Sequence, residues 1–271
     1  MSEVLDVREE LLKNVRGGKV TAAIISDDEG IIAGTAPAKE EAEKLGLSIL
    51  MIREEGSRVG KGEEIIRFRG SPKQIVMAEE VLIGLLAKPS GIATQAKRFV
   101  EQTGGRPKIV SGAWKKMPPS LKEMIRTAVA AGGVAARIAP YPFAYLDKNY
   151  IELLGGIKQS LKAVAHLNTG SKVVQIKGRY NDIGAEACEA AEAGADIIFI
   201  DTGKVEDVQA VTGKLRQRGL RDKVKIAFGG GLSLEAIEYF KSLDLDILDI
   251  GRQIVDAPIL DMRLEIIATE I

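Results

Sequence analysis

The spacing of apolar residues changes character near residue 107. Before it, short apolar runs at 20–25 (VTAAII) and 48–52 (SILMI) read as buried strands. The polar stretch 37–45, with Pro37 in its first turn, reads as a helix between them. Glycines at 56, 60, 62 and 70 punctuate the alternating run Glu64-Ile65-Ile66-Arg67-Phe68, the mark of tight turns and antiparallel strands. Residues 75–87 are apolar on most helical faces and predict a buried helix. Lys88-Pro89-Ser90-Gly91 is expected to break it, with a second helix over 92–103.

Beyond 107, apolar runs appear at 107–110, 134–138, 143–146, 172–176, 196–200, 223–228 and 246–250, and helical stretches at 120–131, 181–193, 204–218 and 233–243 lie among them. The last four runs begin 24, 27 and 23 residues apart. Strands alternating with helices predict a parallel sheet, curved into a barrel or an open part-barrel. Ser120-x-x-Glu123, after Pro118-Pro119, predicts a capping box at a helix start. The tail 258–271 has no partner helix and is expected to return as a strand to the N-terminal part. The chain thus divides into an N-terminal α/β domain (1–105, joined by 258–271) and an α/β barrel domain (106–257).

Composition narrows the function. With 38 Lys+Arg against 38 Asp+Glu, the 271-residue chain lacks the basic excess of a general nucleic-acid or acidic-membrane binder. One histidine, His166, excludes multi-histidine metal motifs and leaves proton transfer mainly to Lys, Asp and Glu. One cysteine, Cys188, cannot make an intrachain disulfide and reads as helix core. No run approaches the roughly 18 apolar residues of a membrane span, and no signal peptide is visible, so a cytoplasmic location is expected. Trp114 reads as packing or as a ring to stack on, and His166 as a capping or partly buried side chain near a helix end.

In parallel α/β sheets, binding groups gather at the C-terminal ends of strands. Those positions hold Lys177, Gly178 and Arg179; Asp201, Thr202 and Gly203; Gly229, Gly230, Gly231 and Ser233; and Gly251 with Arg252. The glycines, followed by a helix that Ser233 would cap, read as a two-loop phosphate cradle or as tight turns without a ligand. Asp201 reads as a carboxylate for a sugar hydroxyl or a metal, or as a helix cap. Neither G-x-x-x-x-G-K-[ST] nor G-x-G-x-x-G is present, which excludes a P-loop and a dinucleotide fold.

Taken in order, Ile32-Ala33-Gly34, Ala78-Glu79, Ser90-Gly91-Ile92-Ala93-Thr94, Lys115 through Pro118, Gly132-Gly133-Val134, Arg137, Asp201, Gly230-Gly231-Leu232-Ser233 and Ile259-Leu260-Asp261-Met262 make the sequence resemble the quinolinate phosphoribosyltransferase family over nearly its whole length. The resemblance implies an N-terminal α/β sandwich with an open-faced α/β barrel, and a homodimer, or a multiple of dimers, with active sites near the subunit interface. It further implies transfer of 5-phosphoribosyl from phosphoribosyl pyrophosphate, with Mg2+, onto a pyridine ring nitrogen in the synthesis of nicotinate mononucleotide. On that basis Lys115, Arg137 and Lys148 bind small anionic substrates, Asp201 binds ribose or Mg2+, and Gly229, Gly230, Gly231, Gly251 and Arg252 hold the 5-phosphate.

Several family positions differ here. The arginine of A-E-R-T is replaced by Glu80, N-H-R becomes Ala135-Ala136-Arg137, I-K-D-N-H becomes Leu146-Asp147-Lys148-Asn149-Tyr150, and V-E-V-E becomes Val174-Gln175-Ile176-Lys177. Asp147 and Lys177 then occupy positions of exchanged sign, and a swapped ion pair between them is one expectation; Lys148 replacing the family lysine is the other. Glu80 predicts weak recognition of a dicarboxylate. Two further readings stay open: a relative that binds a nucleotide or sugar phosphate without turnover, and a barrel reaction in which Lys177 serves as a Schiff-base or proton-transfer lysine.

Overall fold

The computed structural model describes residues 6–167 and 170–270. Its strands are β1 (Lys19–Ser26), β2 (Gly30–Ile31), β3 (Ser48–Ile52), β4 (Arg58–Val59), β5 (Glu64–Gly70), β6 (Lys108–Val110), β7 (Phe143–Leu146), β8 (Ser171–Ile176), β9 (Ile197–Ile200), β10 (Lys225–Gly229), β11 (Ile247–Asp249) and β12 (Met262–Glu270). Its α-helices are α1 (Val7–Leu11), α2 (Thr35–Lys44), α3 (Pro72–Thr103), α4 (Lys122–Ala131), α5 (Lys148–Leu154), α6 (Ile157–Val164), α7 (Ile183–Glu192), α8 (Val205–Gln217), α9 (Ile237–Lys241) and α10 (Arg252–Val255). Contacts group the chain into two units, one of residues 1–97, 118–133 and 256–271, the other of 98–117 and 134–255. Among the described residues, no helix is long and apolar enough to cross a membrane.

The first unit is built on an antiparallel sheet in the order β12-β1-β5-β3. The returning tail is β12, paired from Ser26↔Met262 to Lys19↔Glu270. Val20, Ala22, Ile24, Ile66 and Phe68 form one buried face of the sheet, as strand alternation requires. That face packs on Ile75, Ala78, Leu82 and Leu86 of α3. These recur at helical spacing, so one stripe of the helix meets the sheet.

The expected break at Lys88-Pro89 does not occur: α3 runs through Pro89. Proline leaves the carbonyl four residues back without its helical donor. That carbonyl, Leu85 O, lies so close to Gly34 that a Cβ there would sit 2.1 Å from it. Further contacts in the same unit hold the adjoining turns. Ser90 Oγ accepts from Ala33 N at 3.0 Å, Ala87 O accepts from Leu260 N at 3.0 Å, and Lys88 Nζ donates to Ala257 O at 2.6 Å. Such tertiary contacts outweigh the local cost of one proline, about 3 kcal/mol.

Capping also differs from expectation. Ser120 and Glu123 do not form a capping box; residues 119–121 are a 3-10 turn, α4 begins without a side-chain cap, and Glu123 pairs with Arg126. The reciprocal pair forms instead at Ser71 and Gln74, where Gln74 Oε1 accepts from Ser71 N at 2.7 Å and Gln74 N donates to Ser71 Oγ at 3.4 Å.

The second unit carries a six-stranded parallel sheet in the order β6-β11-β10-β9-β8-β7. Val110, Val173, Ile197, Phe199, Ala227 and Ile247 share one face and form a barrel-like core with Ile138 and Ala139. The expected strand at 134–138 is reduced to a single parallel bridge, Ala135↔Val110, and no ladder joins this segment to β7 among the described residues. The sheet is therefore open, as the resemblance implies. Cys188 is buried on α7, and His166 is exposed just past the end of α6.

Candidate active site

Side chains two residues apart on a strand point to the same face. Continuing the core-facing set Val173, Phe199, Ala227 and Val110 to the strand ends and just beyond reaches Gln175 and Lys177, Asp201, Gly229, and Gly112. Asp249 lies beside Gly229 in the register of β10 with β11. The polar groups of the second unit thus meet at the C-terminal rim of the sheet because the alternation that buries the core carries on to polar residues.

At the centre is Asp201. Its Oδ2 accepts from Gln175 Nε2 at 2.6 Å and from Lys177 Nζ at 2.8 Å, and Lys177 Nζ also donates to Asp201 O at 2.6 Å. The other end of the Gln175 amide, Oε1, accepts from Lys148 N at 3.0 Å. Asp147, expected opposite Lys177, instead caps α5, accepting from Asn149 N at 2.9 Å and Tyr150 N at 3.1 Å. The swapped Asp147–Lys177 pair is therefore absent among the described residues. The short link from β7 into α5 engages Asp147 with orphan helix N–H groups, and Lys177 finds its counter-charge on Asp201.

Glu186, a buried carboxylate on α7, holds the loop after β8. It accepts from Lys177 N at 3.2 Å, Gly178 N at 2.8 Å and Tyr180 N at 2.8 Å. The main chain of Lys177 is thereby fixed while its ammonium reaches Asp201.

A second cluster lies around Tyr145. Lys115 Nζ sits 4.4 Å from the Tyr145 ring centroid. Burial, followed by the negative charges of Asp249, Asp201 and Asp147, raises the Tyr145 hydroxyl above its ordinary range. Asp249 Oδ1 accepts from Gly112 N at 3.0 Å, its one hydrogen bond among the described residues. Burial pushes the Asp249 carboxyl up, opposed by the Gly112 hydrogen bond and the charge of Lys115. Arg137 is exposed, its guanidinium 5.8 Å from the Trp114 ring and 5.7 Å from the Tyr141 ring; Trp114 Nε1 donates to Ala136 O at 2.7 Å.

The raised Asp249 value has a sign that stability can read. Its folded-state pKa lies above that of the unfolded chain, so its contribution is full below the unfolded value, about 3.9, and is lost as pH rises through the folded value. Asp249→Asn keeps an acceptor for Gly112 N. It is expected to be more stable than the native chain at pH 7, with the gap closing toward pH 4. Thermal melts across that range check it; a gap independent of pH contradicts the assignment.

The glycine loops differ from expectation in the helix that follows them. Ser233 does not cap a helix: it lies against Glu235, whose carboxyl is lowered by its own backbone N–H and by Ser233, and α9 starts only at Ile237 and spans five residues. Two of the three glycines are required by packing. A Cβ on Gly229 would sit 2.9 Å from the Phe199 ring, and one on Gly230, at φ +118°, would sit 2.8 Å from Gly203. Gly231, at φ +73°, faces open space. Gly251 precedes the exposed Arg252, first residue of the four-residue α10. A cleft of about 950 Å³ lies at the opposite rim, lined by Asp196, Arg221, Lys225, Asp244 and Asp246. Its carboxylates serve strand starts and Arg221, as in Asp246 with Ile226 N and Asp196 with Lys172 N, which is a stabilising role.

Gln175, Tyr145, Asp249 and Glu186 were not among the sequence-predicted site residues. Strand alternation back from Lys177 would have found Gln175, and the register of β10 with β11 is what places Asp249. Glu186 carries no local signal, since its three partners lie in the preceding loop.

A rim of charged and aromatic groups on a barrel-like parallel sheet is the architecture of an α/β enzyme acting on a small molecule. Residues 6–90 match the N-terminal domain, and residues 92–265 the C-terminal domain, of quinolinate phosphoribosyl transferase. The chain belongs to the quinolinate phosphoribosyl transferase family. It is 30% identical to the probable nicotinate-nucleotide pyrophosphorylase [carboxylating] of Methanothermobacter thermautotrophicus, over 93% of this chain and 90% of that protein. It is 25% identical to the human nicotinate-nucleotide pyrophosphorylase [carboxylating], over 94% and 84%. Among solved structures, the Ehrlichia chaffeensis nicotinate-nucleotide pyrophosphorylase superposes with a TM-score of 0.81 at 17% identity, covering 98% of this chain and 93% of that one. The Pyrococcus furiosus enzyme gives 0.78 at 23% identity, covering 97% and 72%. These two likenesses show the fold.

Proposed function

We propose that the chain transfers the 5-phosphoribosyl group of phosphoribosyl pyrophosphate to the ring nitrogen of a pyridine carboxylate or related heterocycle, releasing pyrophosphate. The observation that carries this reading is Asp201: two donors hold Oδ2, and Oδ1 has no partner among the described residues. A carboxylate so held accepts a ribose hydroxyl and steadies the positive charge that develops as the bond from the ribose carbon to pyrophosphate breaks. Lys115, Arg137 and Lys148 supply positive charge for the anionic substrates, and Gly231 with Gly251 and Arg252 offers backbone and guanidinium donors to the 5-phosphate. The Lys177 ammonium, engaged by two oxygens of Asp201, favours this electrostatic role over a Schiff base.

The resemblance also implies Mg2+. The donor set does not fit direct coordination by Asp201, because Oδ2 already takes an ammonium and an amide donor. Nor does any group of three His, Cys, Asp or Glu gather among the described residues. In this reading the ion accompanies the pyrophosphate of the donor substrate, as Mg2+ commonly does.

Glu80, where the resemblance has an arginine, takes Arg8 Nη2 on both carboxylate oxygens, at 2.7 and 2.6 Å, so the residue at this position supplies no positive charge for a second carboxylate. The reading carries with it a homodimer, small anionic substrates rather than nucleic acid, and a cytoplasmic setting. Pyrophosphate release with phosphoribosyl pyrophosphate, Mg2+ and a panel of quinolinate, nicotinate and nicotinamide tests it. Release is expected with at least one acceptor and weakest per enzyme with the dicarboxylate. Binding of phosphoribosyl pyrophosphate without release from any acceptor would leave a non-catalytic relative.

A further inference from the structure

We propose that Lys177 is the resident counter-cation of Asp201, positioned there by Gln175 and Glu186, and that this carboxylate engages substrate without a divalent ion of its own. The geometry is fixed from several sides. Gln175 and Lys177 lie two residues apart at the end of β8 and reach the same oxygen, Asp201 Oδ2, at 2.6 and 2.8 Å. Gln175 cannot turn away freely, because its Oε1 is held by Lys148 N. Lys177 cannot drift, because Glu186 accepts from its backbone N–H and from that of Gly178. The Lys177 and Asp201 side chains are only 27% and 33% exposed, so the pair is shielded more than a surface ion pair.

A divalent ion at Oδ2 would have to displace the ammonium or sit against it. Mg2+ demands near-octahedral oxygen ligands and gives up water reluctantly, and Asp201 with two nitrogen donors on one oxygen offers no such set. What remains is Oδ1, a single acceptor suited to a hydroxyl. The charge of Lys177 therefore does locally what a metal would do, and Gln175, being neutral, adds no second carboxylate to attract one.

The substrate half of this inference rests on the phosphoribosyl-transfer reading; the metal half does not. Mn2+ serves as the probe, by electron paramagnetic resonance on the full-length chain without phosphoribosyl pyrophosphate. The native protein is expected to show no Mn2+ site that depends on Asp201. Gln175→Glu, of the same shape, places a second carboxyl against Asp201 and is expected to gain one site, which adding Asp201→Asn removes. In the pyrophosphate assay, Lys177→Met is expected to lower kcat/KM about 10- to 100-fold, the scale of a charge-assisted hydrogen bond, with Lys177→Arg recovering most of it. Thermal melts confirm that each variant is folded. Mn2+ bound by the native chain and lost in Asp201→Asn would overturn the proposal, as would native kcat and KM in Lys177→Met. If no acceptor supports release at all, the transfer reading fails while the Mn2+ result still decides the metal half.

Discussion

Asp201→Ala is expected to reduce pyrophosphate release about 10²- to 10³-fold, the scale on which removal of one preorganised charge-stabilising group lowers kcat. The substitution removes the carboxylate that Gln175 and Lys177 hold in place. Among the described residues, it leaves the Lys177 ammonium with the Asp201 backbone carbonyl as its partner. Asp201→Asn separates charge from shape: it keeps an acceptor for both donors but carries no negative charge for the developing positive centre. Both variants are expected to lose rate, Ala the more, and both to remain folded. A fully active Asp201→Asn would show that the charge is dispensable. Steady-state kinetics with the acceptor that serves best, alongside thermal melts, gives the answer.

Glu186→Ala is expected to be the most damaging substitution for stability around the site. It strips the acceptor from three backbone N–H groups, those of Lys177, Gly178 and Tyr180. An unsatisfied buried donor costs about 1–3 kcal/mol, but Gly178 and Tyr180 are exposed and water replaces part of what is lost. A net loss of about 2–4 kcal/mol follows, or roughly 5–15 °C in Tm for a domain of this size. Because the same loop carries Lys177, activity is expected to fall as well. Glu186→Gln retains one side-chain oxygen and is expected to lie between the two. A melt unchanged in Glu186→Ala would mean that the loop holds itself.

Much of the barrel was legible along the chain. Runs of apolar residues alternating with polar helical stretches appear as β8 to β11 with α7 and α8, and the last run returns as β12 on β1. Strand ends were the right place to look for polar groups: Lys177 and Asp201 meet there. The two errors have different causes. At Pro89 a partner distant in sequence decided the outcome, because the carbonyl below it faces Gly34. At Ser120-x-x-Glu123 a competing local pair did, because Glu123 meets Arg126 one turn further along the same helix. The glycine run, too, is shaped by distant partners. Gly229 and Gly230 answer to Phe199 and Gly203, neighbours that only the folded sheet supplies.

The sequence by itself determined the family, the two kinds of sheet, the return of the tail and the set of strand-end residues. Hydrophobic periodicity and ordered motifs are properties of short stretches of chain and survive in one dimension. Only the tertiary structure decided which charge answers which. Asp147, Lys177, Gln175 and Asp201 sit on three successive strand ends. Whether Lys177 meets Asp147 or Asp201 depends on strand neighbours, loop length and the capping demand of α5, and not on any spacing along the chain. An ion pair is won by distances of a few ångströms, and such distances are set when the sheet closes its register.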